Sequence, residues 1–428
     1  MRVDKADNSI FRNTFIPGLK LAVCLKFPYM TFLCISCYYK GSAFLKASKA
    51  DGNTVYLITT EKLKDADWPR ESVDEFFYVE NDSNAPTALK NVANGVAWLM
   101  RTRQIDRVVA LDDFDVEKAA YIREEFRIPG MGQTTARYFR DKLAMRVQAQ
   151  DAGVPVPRFS SLFNDVQLTE FANSVEFPCL VKPRGEASAT GIKKVHSADE
   201  LWQHVHSLED RRPDYLVEQF RPGDVYHVDA ISHDGELVFC QVSRYLSTPF
   251  EVAHGGGIFR SVSVPYEHDD AHLLRRLTAD VMDAFGMQFS ASHTEFIRTG
   301  DGKFVFLETA SRVGGAHVAE MVEAATGVSL WSEWAKLETA KAYGRTYEAP
   351  ERRYDQAGIL VSLSRFEWPD MSGFNDPEVV WKINKAQHIG MIVQSDSEER
   401  VLELLDDYAG RVSRDFHASA PAPGKSTH

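Results

Sequence analysis

From residue 31 onward the hydrophobic positions fall into short runs separated by amphipathic stretches. TFLCISCYY (31–39) is apolar throughout and of strand length, and KGSAFLKASKADG repeats its apolar positions at helical spacing and stops at Gly52. NTVYLITTE and VDEFFYVEN predict a second and a third strand. APTALKNVANGVAWLMRTRQ then predicts a helix, IDRVVALDDFD a strand ending in acids, VEKAAYIREEF another helix and IPGMG a turn. Apolar strands alternating with helices predict an open parallel sheet covered by helices.

The pattern changes beyond residue 135. TTARYFRDKLAMRVQAQDAG reads as a helix with an early Asp141–Lys142 pair, and VPVPRF as a Pro-punctuated connector. FPCLVKPRGEASATGIKKV predicts strand, Gly-bearing loop and strand, and SADELWQHVHSL a helix opened by a Ser cap. YLVEQF, VYHVDAISHDGELVFCQVSRY and SASHTEFIRTGDGKFVFLE read as antiparallel strands, with HDG and GDG at hairpin turns. Helices are expected at 269–285 and 316–342. Beyond about residue 350, AGILVSLSRF and HIGMIVQS predict strands and SEERVLELLDDYAGRV a closing helix. The Pro/Ser-rich end, ASAPAPGKSTH, is expected to be disordered. Residues 1–29 fit no part of the alternation, and Met30 stands immediately before the first strand. They are expected to be an appended or mis-started, largely disordered segment.

Length and composition narrow the class. A chain of 428 residues, 44% hydrophobic and 26% charged, has the composition of an ordinary globular protein with several domains. A net charge of −12 argues against non-specific affinity for nucleic acid or anionic membrane. Five cysteines are few and odd in number, which favours a reducing cytoplasm over a disulfide framework. The C-x-x-C of Cys34 and Cys37 falls in the first apolar run and is read as core packing. The apolar stretch 19–39 is interrupted by Lys20, Lys26 and Pro28, so it predicts neither a membrane span nor a signal peptide, and the chain is read as cytoplasmic.

Four places could carry chemistry. Lys182 ends a strand, and the small residues bracketed by Gly185 and Gly191 would let backbone N–H groups close on phosphate oxygens. The plainer reading is a hairpin connection, and no P-loop is present. In YLVEQFRPGDVYHVD, an extended backbone near Glu218 could pair with a purine's polar edge or simply turn between strands. Glu295 and Glu308 flank the TGDGK turn as near cross-strand partners. Two acids opposed within apolar runs call for a cation, and hard oxygen donors suit Mg2+. Finally, Arg312 in SRVGGAH is placed to hold an anionic intermediate. Gly314 and Gly315 permit close backbone approach before a helix start at about Ala316. AHGGGIFR (253–260) is a further Gly-rich loop that could contact substrate or be mobile. The histidine pairs in HVH (204–206) and HDDAH (268–272) lack a third zinc ligand.

Taken in order, RDK, LVKPRGEASATGI, LVEQFRPGDVYHVD and HTEFIRTGDGKFVFLETASRVGG resemble the ATP-grasp superfamily over roughly residues 31–345. The resemblance implies α/β and α+β architecture. An N-terminal open parallel-sheet, Rossmann-like domain (30–135) would be followed by an ATP-grasp small lobe with the phosphate loop (136–216). A large lobe with the metal site (217–345), a small C-terminal α/β subdomain (346–416) and a tail (417–428) would complete the chain. It implies that Lys142 and Lys182 bind the phosphates of ATP, with Lys182 and Arg312 catalytic. The loop from Gly185 through Ala187 and Ser188 to Gly191 would cover those phosphates. Glu218, Gln219 and Phe220 would read adenine, with Asp224 on the ribose, and Glu295 and Glu308 would hold Mg2+ or Mn2+. Candidate substrate contacts are His254, Gly255, Gly256, Arg260, Gly314, Gly315 and His317.

The implied activity joins a small-molecule carboxylate to an amine, both expected to be amino acids, through an acylphosphate. A homodimer is the commonest expectation for such a chain. One departure marks the subfamily. Where many members read Glu-x-Asn-x-Arg, this chain reads Glu308-Thr-Ala-Ser-Arg312, with Ala310 at the Asn place, a pattern similar to L-amino-acid ligases. The lost Asn also motivates an ATP-binding sensor without turnover, and a bicarbonate-activating carboxylase is a third reading.

Overall fold

The computed structural model describes residues 29–80, 86–187 and 189–419, leaving aside the side chains of 86–88 and 253–255. The expectation for residues 1–29 therefore lies, Tyr29 apart, outside the described residues, as does that for the last nine.

Three sheets follow one another along the chain. The first is parallel, with strand order β3-β2-β1-β4. It comprises β1 (Thr31–Ile35), β2 (Thr54–Thr60), β3 (Glu75–Val79) and β4 (Arg107–Ala110), wrapped by α1 (Ser42–Ala50), α2 (Pro86–Leu99) and α3 (Val116–Phe126). Alternation along β1 sends Leu33 and Ile35 into a core with Val92 and Val108, and Phe32 and Cys34 into another with Val55 and Leu57. Cys34 and Cys37 are buried in these two different clusters, so the C-x-x-C pair is core, as its sequence context indicated.

Helices α4 (Gln133–Tyr138) and α5 (Lys142–Asp151) replace the one helix expected there. Phe139 closes the first, and Asp141 caps the second, accepting from the Leu143 N–H at 3.0 Å. The second sheet is antiparallel, order β5-β8-β6-β7. Its strands are β5 (Phe159–Ser161), β6 (Cys179–Pro183), β7 (Lys193–Val195) and β8 (Tyr215–Gln219), with α6 (Asp165–Ser174) and α7 (Ala198–Ser207) packed on one face. Ser197 caps α7 as expected.

The third sheet has eight strands in the order β13-β12-β9-β10-β11-β14-β16-β15. In chain order these elements are β9 (Asp224–His233), β10 (Glu236–Tyr245), α8 (Pro249–Gly255), β11 (Phe259–Ser263), α9 (Asp269–Ala284), β12 (Ser290–Arg298) and β13 (Phe304–Ala310). Then come α10 (Val318–Thr326), α11 (Leu330–Tyr343), β14 (Gln356–Leu363), β15 (Val379–Lys382), β16 (His388–Ser395) and α12 (Glu398–Asp415). The HDG turn joins β9 to β10 with Asp234 and Gly235 both at positive φ, the geometry a two-residue hairpin needs.

Several sequence expectations are corrected. The helix expected over 316–342 breaks into α10 and α11 at Gly327, which ends α10 at φ 75°. The Gly-rich loop expected from 253 begins inside α8, whose Thr248 and Glu251 form a capping box. The short edge strand β15 escaped notice. β14 pairs with β11, so the segment expected as a separate C-terminal subdomain extends the large lobe's own sheet. Met145 and Ala149 of α5 pack with Val281 of α9 and Phe306 of β13, so this helix is part of the large lobe's core. On the other side, Trp334 and Leu337 of α11 share a core with Phe32 and Val55 of the parallel sheet, and Arg107 makes a buried pair with Glu338. Among the described residues no helix is long and apolar enough to cross a membrane.

Candidate active site

A cleft of about 570 Å3 lies where the three sheets meet. The small-lobe wall follows from strand alternation. Cys179 and Val181 of β6, with Tyr215 and Val217 of β8, face the covering helices, which turns Lys182 and Glu218 toward the cleft. The two form a buried ion pair, and Arg146 of α5 reaches the other Glu218 oxygen with its Nη2 at 2.8 Å. Burial pushes the Lys182 pKa down despite Glu218. Burial would raise Glu218, but Arg146 and Lys182 together hold it below the usual carboxylate range. The Glu218 side chain is thus engaged within the protein. The Gln219 and Phe220 N–H groups donate to the Arg158 and Pro178 carbonyls, and the cleft wall continues through Arg221, Pro222 and Gly223.

The loop after Lys182 is tied down from α5. Lys142 Nζ donates to the Glu186 carbonyl at 2.6 Å and lies 3.1 Å from Glu308 Oε2, while Arg140 donates to the Gly185 carbonyl. Gly191 turns the loop at φ 71°, where a side chain would also crowd Pro183. Ala187 lines the cleft. Ser188 lies outside the described residues.

Glu295 and Glu308 are direct register partners across β12 and β13. The register then shifts so that Phe296 faces Phe306, leaving Leu307 as an extra residue, and both Leu307 and Glu308 line the cleft. Burial would raise the Glu308 pKa, but Lys142 and then Lys182 bring it below the ordinary value. Glu295 accepts from the Tyr245 hydroxyl at 2.8 Å. Two hard-oxygen donors opposed on one wall of the cleft fit Mg2+ or Mn2+.

Arg312 lines the same cleft but is not free. Its Nε donates to Asp113 Oδ2 at 2.8 Å, Nη2 donates to the same oxygen, and Nη1 donates to its own neighbour's carbonyl, Val313 O. Burial would lower the Arg312 pKa, but Asp113 raises it, and the same pairing drives Asp113 down. Asp113 follows β4, so the first domain supplies the counter-ion of a large-lobe arginine.

The remaining sequence candidates divide. Gly315 lines the cleft, and Gly314 packs behind it against Asp229 and His293. Arg260 pairs with Asp406 of α12 at 2.6 Å, and His317 lies against Glu320 and Trp381; neither lines the cleft. Gly256 ends α8 beside Ser419, and Asp224 is exposed at the start of β9, also outside the lining. Gly255 closes α8, and the side chain of His254 before it lies outside the described residues.

Sequence reasoning missed Arg146, Asp113 and a chain of side chains on one face of β9 and β12. His227 Nδ1 lies 2.7 Å from Asp229 Oδ2, and His293 Nδ1 lies 2.8 Å from Asp229 Oδ1. His293 Nε2 lies 3.5 Å from Glu295 Oε1. Burial would lower the His293 pKa, but Asp229 and Glu295 push it up to about 10. The i, i+2 spacing of HVD and HTE was the available signal.

Residues 175–320 match the family model described as the ATP-grasp domain, and the lobes closing on this cleft have the ATP-grasp fold. An L-arginine-specific L-amino acid ligase of Bacillus subtilis is 24% identical over 261 residues, 59% of this chain and 62% of that one. The crystal structure of an L-amino acid ligase from Bacillus licheniformis superposes with a TM-score of 0.69 at 18% identity, covering 91% of this chain and 98% of that one. The biotin carboxylase domain of a Hydrogenobacter thermophilus 2-oxoglutarate carboxylase, with MgADP and bicarbonate, gives 0.68 at 16% identity, covering 91% of both. The chain spans about half to two thirds of the length of the curated relatives it matches.

Proposed function

We propose that this protein is an ATP-dependent carboxylate–amine ligase that joins two amino acids through an acylphosphate. The observation that carries this is the convergence of Lys142, Lys182, Glu295, Glu308 and Arg312 on one cleft from three separate parts of the chain. The likeness to two L-amino acid ligases supports the choice of substrate class.

In this reading the backbone beyond Phe220 faces the adenine, and Lys142 and Lys182 lie along the phosphates. The loop between Gly185 and Gly191 covers them and keeps water from the acylphosphate. Glu295 and Glu308 would hold a divalent cation, which when bound offsets phosphate charge. A substrate carboxylate oxygen takes the γ-phosphoryl group as its bond to the β-phosphate bridging oxygen breaks, releasing ADP. The amine nitrogen then attacks the acyl carbon and gives up a proton, and phosphate leaves as the C–O bond breaks. Arg312, oriented by Asp113, offsets charge on the tetrahedral oxygen.

The test is ADP release across a panel of amino-acid pairs, with mass detection of the product. Release that needs both a carboxylate and an amine is expected. Release on bicarbonate alone would favour the carboxylase reading. Tight nucleotide binding without turnover on any pair would favour a sensor.

A further inference from the structure

The chain of side chains ending on Glu295 has a geometry that packing alone does not require. β9 and β12 are adjacent and antiparallel, with Asp229 opposite His293 and His227 opposite Glu295. All four side chains therefore share one face. At the inner end, His227 and Asp229 are fully buried, and His227 Nε2 meets Ser261 Oγ at 2.8 Å. At the outer end, His293, Tyr245 and Glu295 line the cleft. Asp229 can only accept, so each imidazole Nδ1 that faces it carries the hydrogen. These two histidines and Asp229 are close enough to hold an ion. Both Nδ1 atoms are already at hydrogen-bond distance from Asp229, which describes a hydrogen-bonded chain rather than a ligand shell.

Gly314 supports the same arrangement. A Cβ there would lie 2.7 Å from Asp229 Oδ1 and 2.9 Å from His293 Nδ1. The segment that follows Arg312 is seated directly on the Asp229–His293 pair.

We propose that His293 is a positioning residue for the cation-binding carboxylate. Asp229 fixes the imidazole ring, and the ring's far edge, together with the Tyr245 hydroxyl, fixes the orientation of Glu295. This rests on the reading of Glu295 as a cation ligand. Side chains that orient metal ligands without touching the metal typically govern affinity by about 10–100-fold.

Two substitutions separate this role from a purely structural one. His293→Asn keeps an N–H near the Nδ1 place, for Asp229, and offers nothing to Glu295. His293→Gln carries its amide where Nε2 stood, keeping the Glu295 contact and giving up Asp229. The readout is Mn2+ binding to the full chain with ADP, followed by the electron paramagnetic resonance of free Mn2+, alongside thermal melting. His293→Asn is expected to weaken Mn2+ binding by about 10–100-fold, and His293→Gln by much less. Unchanged Mn2+ binding in His293→Asn, or equal weakening in both variants, would overturn the proposal. Should either variant fail to fold, Tyr245→Phe removes only the hydroxyl on Glu295. Weaker Mn2+ binding at an unchanged melting temperature supports the proposal, and unchanged binding counts against it. Glu295→Gln keeps the two readings apart: if it leaves Mn2+ binding intact, the ligand assignment itself is wrong.

Discussion

Glu308 and Glu295 face each other across one hairpin, yet different parts of the molecule hold them. Glu308 is met by Lys142 from the start of α5, the same lysine that holds the loop after Lys182 through the Glu186 carbonyl. Glu295 is met by Tyr245 and His293, and His293 by Asp229, all within one sheet. One carboxylate is tied to the loop that, in the proposed reading, covers the nucleotide, the other to paired strands of one sheet. In that reading the pair combines a donor held within one sheet with a donor linked to the covering loop, a division of labour suited to capturing a charged ligand and then enclosing it.

The harshest way to break this comparison is to remove the loop-linked acid. Glu308→Ala should abolish turnover, a loss of about 10³-fold or more if the charge it helps to offset is worth several kcal/mol. Steady-state ADP release measures it, and melting should show a folded protein. Retained turnover would mean that Glu308 only anchors Lys142.

Removing the anion of the small-lobe network comes next. Glu218 is buried between Lys182 and Arg146, so Glu218→Gln leaves two buried cations without a counter-charge and should cost about 3–5 kcal/mol of stability. The pH dependence has a definite sign. The folded-state pKa of Glu218 lies below its unfolded value, so its contribution is present above the usual carboxylate range. That contribution is lost as pH falls through the lower folded value. Denaturant midpoints measured down through the acid range should fall less steeply for Glu218→Gln than for the parent protein. Parallel curves would assign the acid sensitivity to other carboxylates.

Much of this contrast could be read from sequence, and the missing part has a physical reason. Lys182, Glu295 and Glu308 were found because strand alternation and a short hairpin fix facing positions by local counting. Asp113 and Arg146 were missed because their partners, Arg312 and Glu218, lie far away along the chain, and only the packing of whole domains brings them together. The Asp229–His293 pair needed the β9–β12 register, which no turn between those strands reveals. Arg260 misled for the opposite reason. It follows a Gly-rich stretch, but alternation along β11 puts Phe259 in the cleft and turns Arg260 toward α12. The α8 start was legible after all, in the Thr248-Pro249-Phe250-Glu251 capping box, but the glycines beyond it outweighed that signal.

A smaller perturbation tests the rigid side. In Gly314→Ala the new Cβ would fall 2.4 Å from Val318 Cγ2 as well as on Asp229 and His293. Overpacking of this kind costs about 1–3 kcal/mol. A loss in that range by chemical denaturation, with Mn2+ binding weakened in parallel, is expected if the chain to Glu295 is rigid. A stability loss with unaltered Mn2+ binding would uncouple the two.

The smallest effect is expected at Ala310, and it sharpens the comparison most. Ala310 lies opposite His293 at the end of β13, largely buried yet in the cleft wall two residues beyond Glu308. Asn at this place would add an oxygen donor on the side of the loop-linked acid. Glu295 should keep its Tyr245 contact and, provided His293 opposite the new side chain stays on Asp229, its orientation. Ala310→Asn should therefore fold, keep at least part of the proposed ligase activity and bind Mn2+ no more weakly than the parent protein. If instead it fails to fold, the small residue is there to let β13 pack beside His293, and the departure from Asn reflects sheet geometry rather than the choice of substrate.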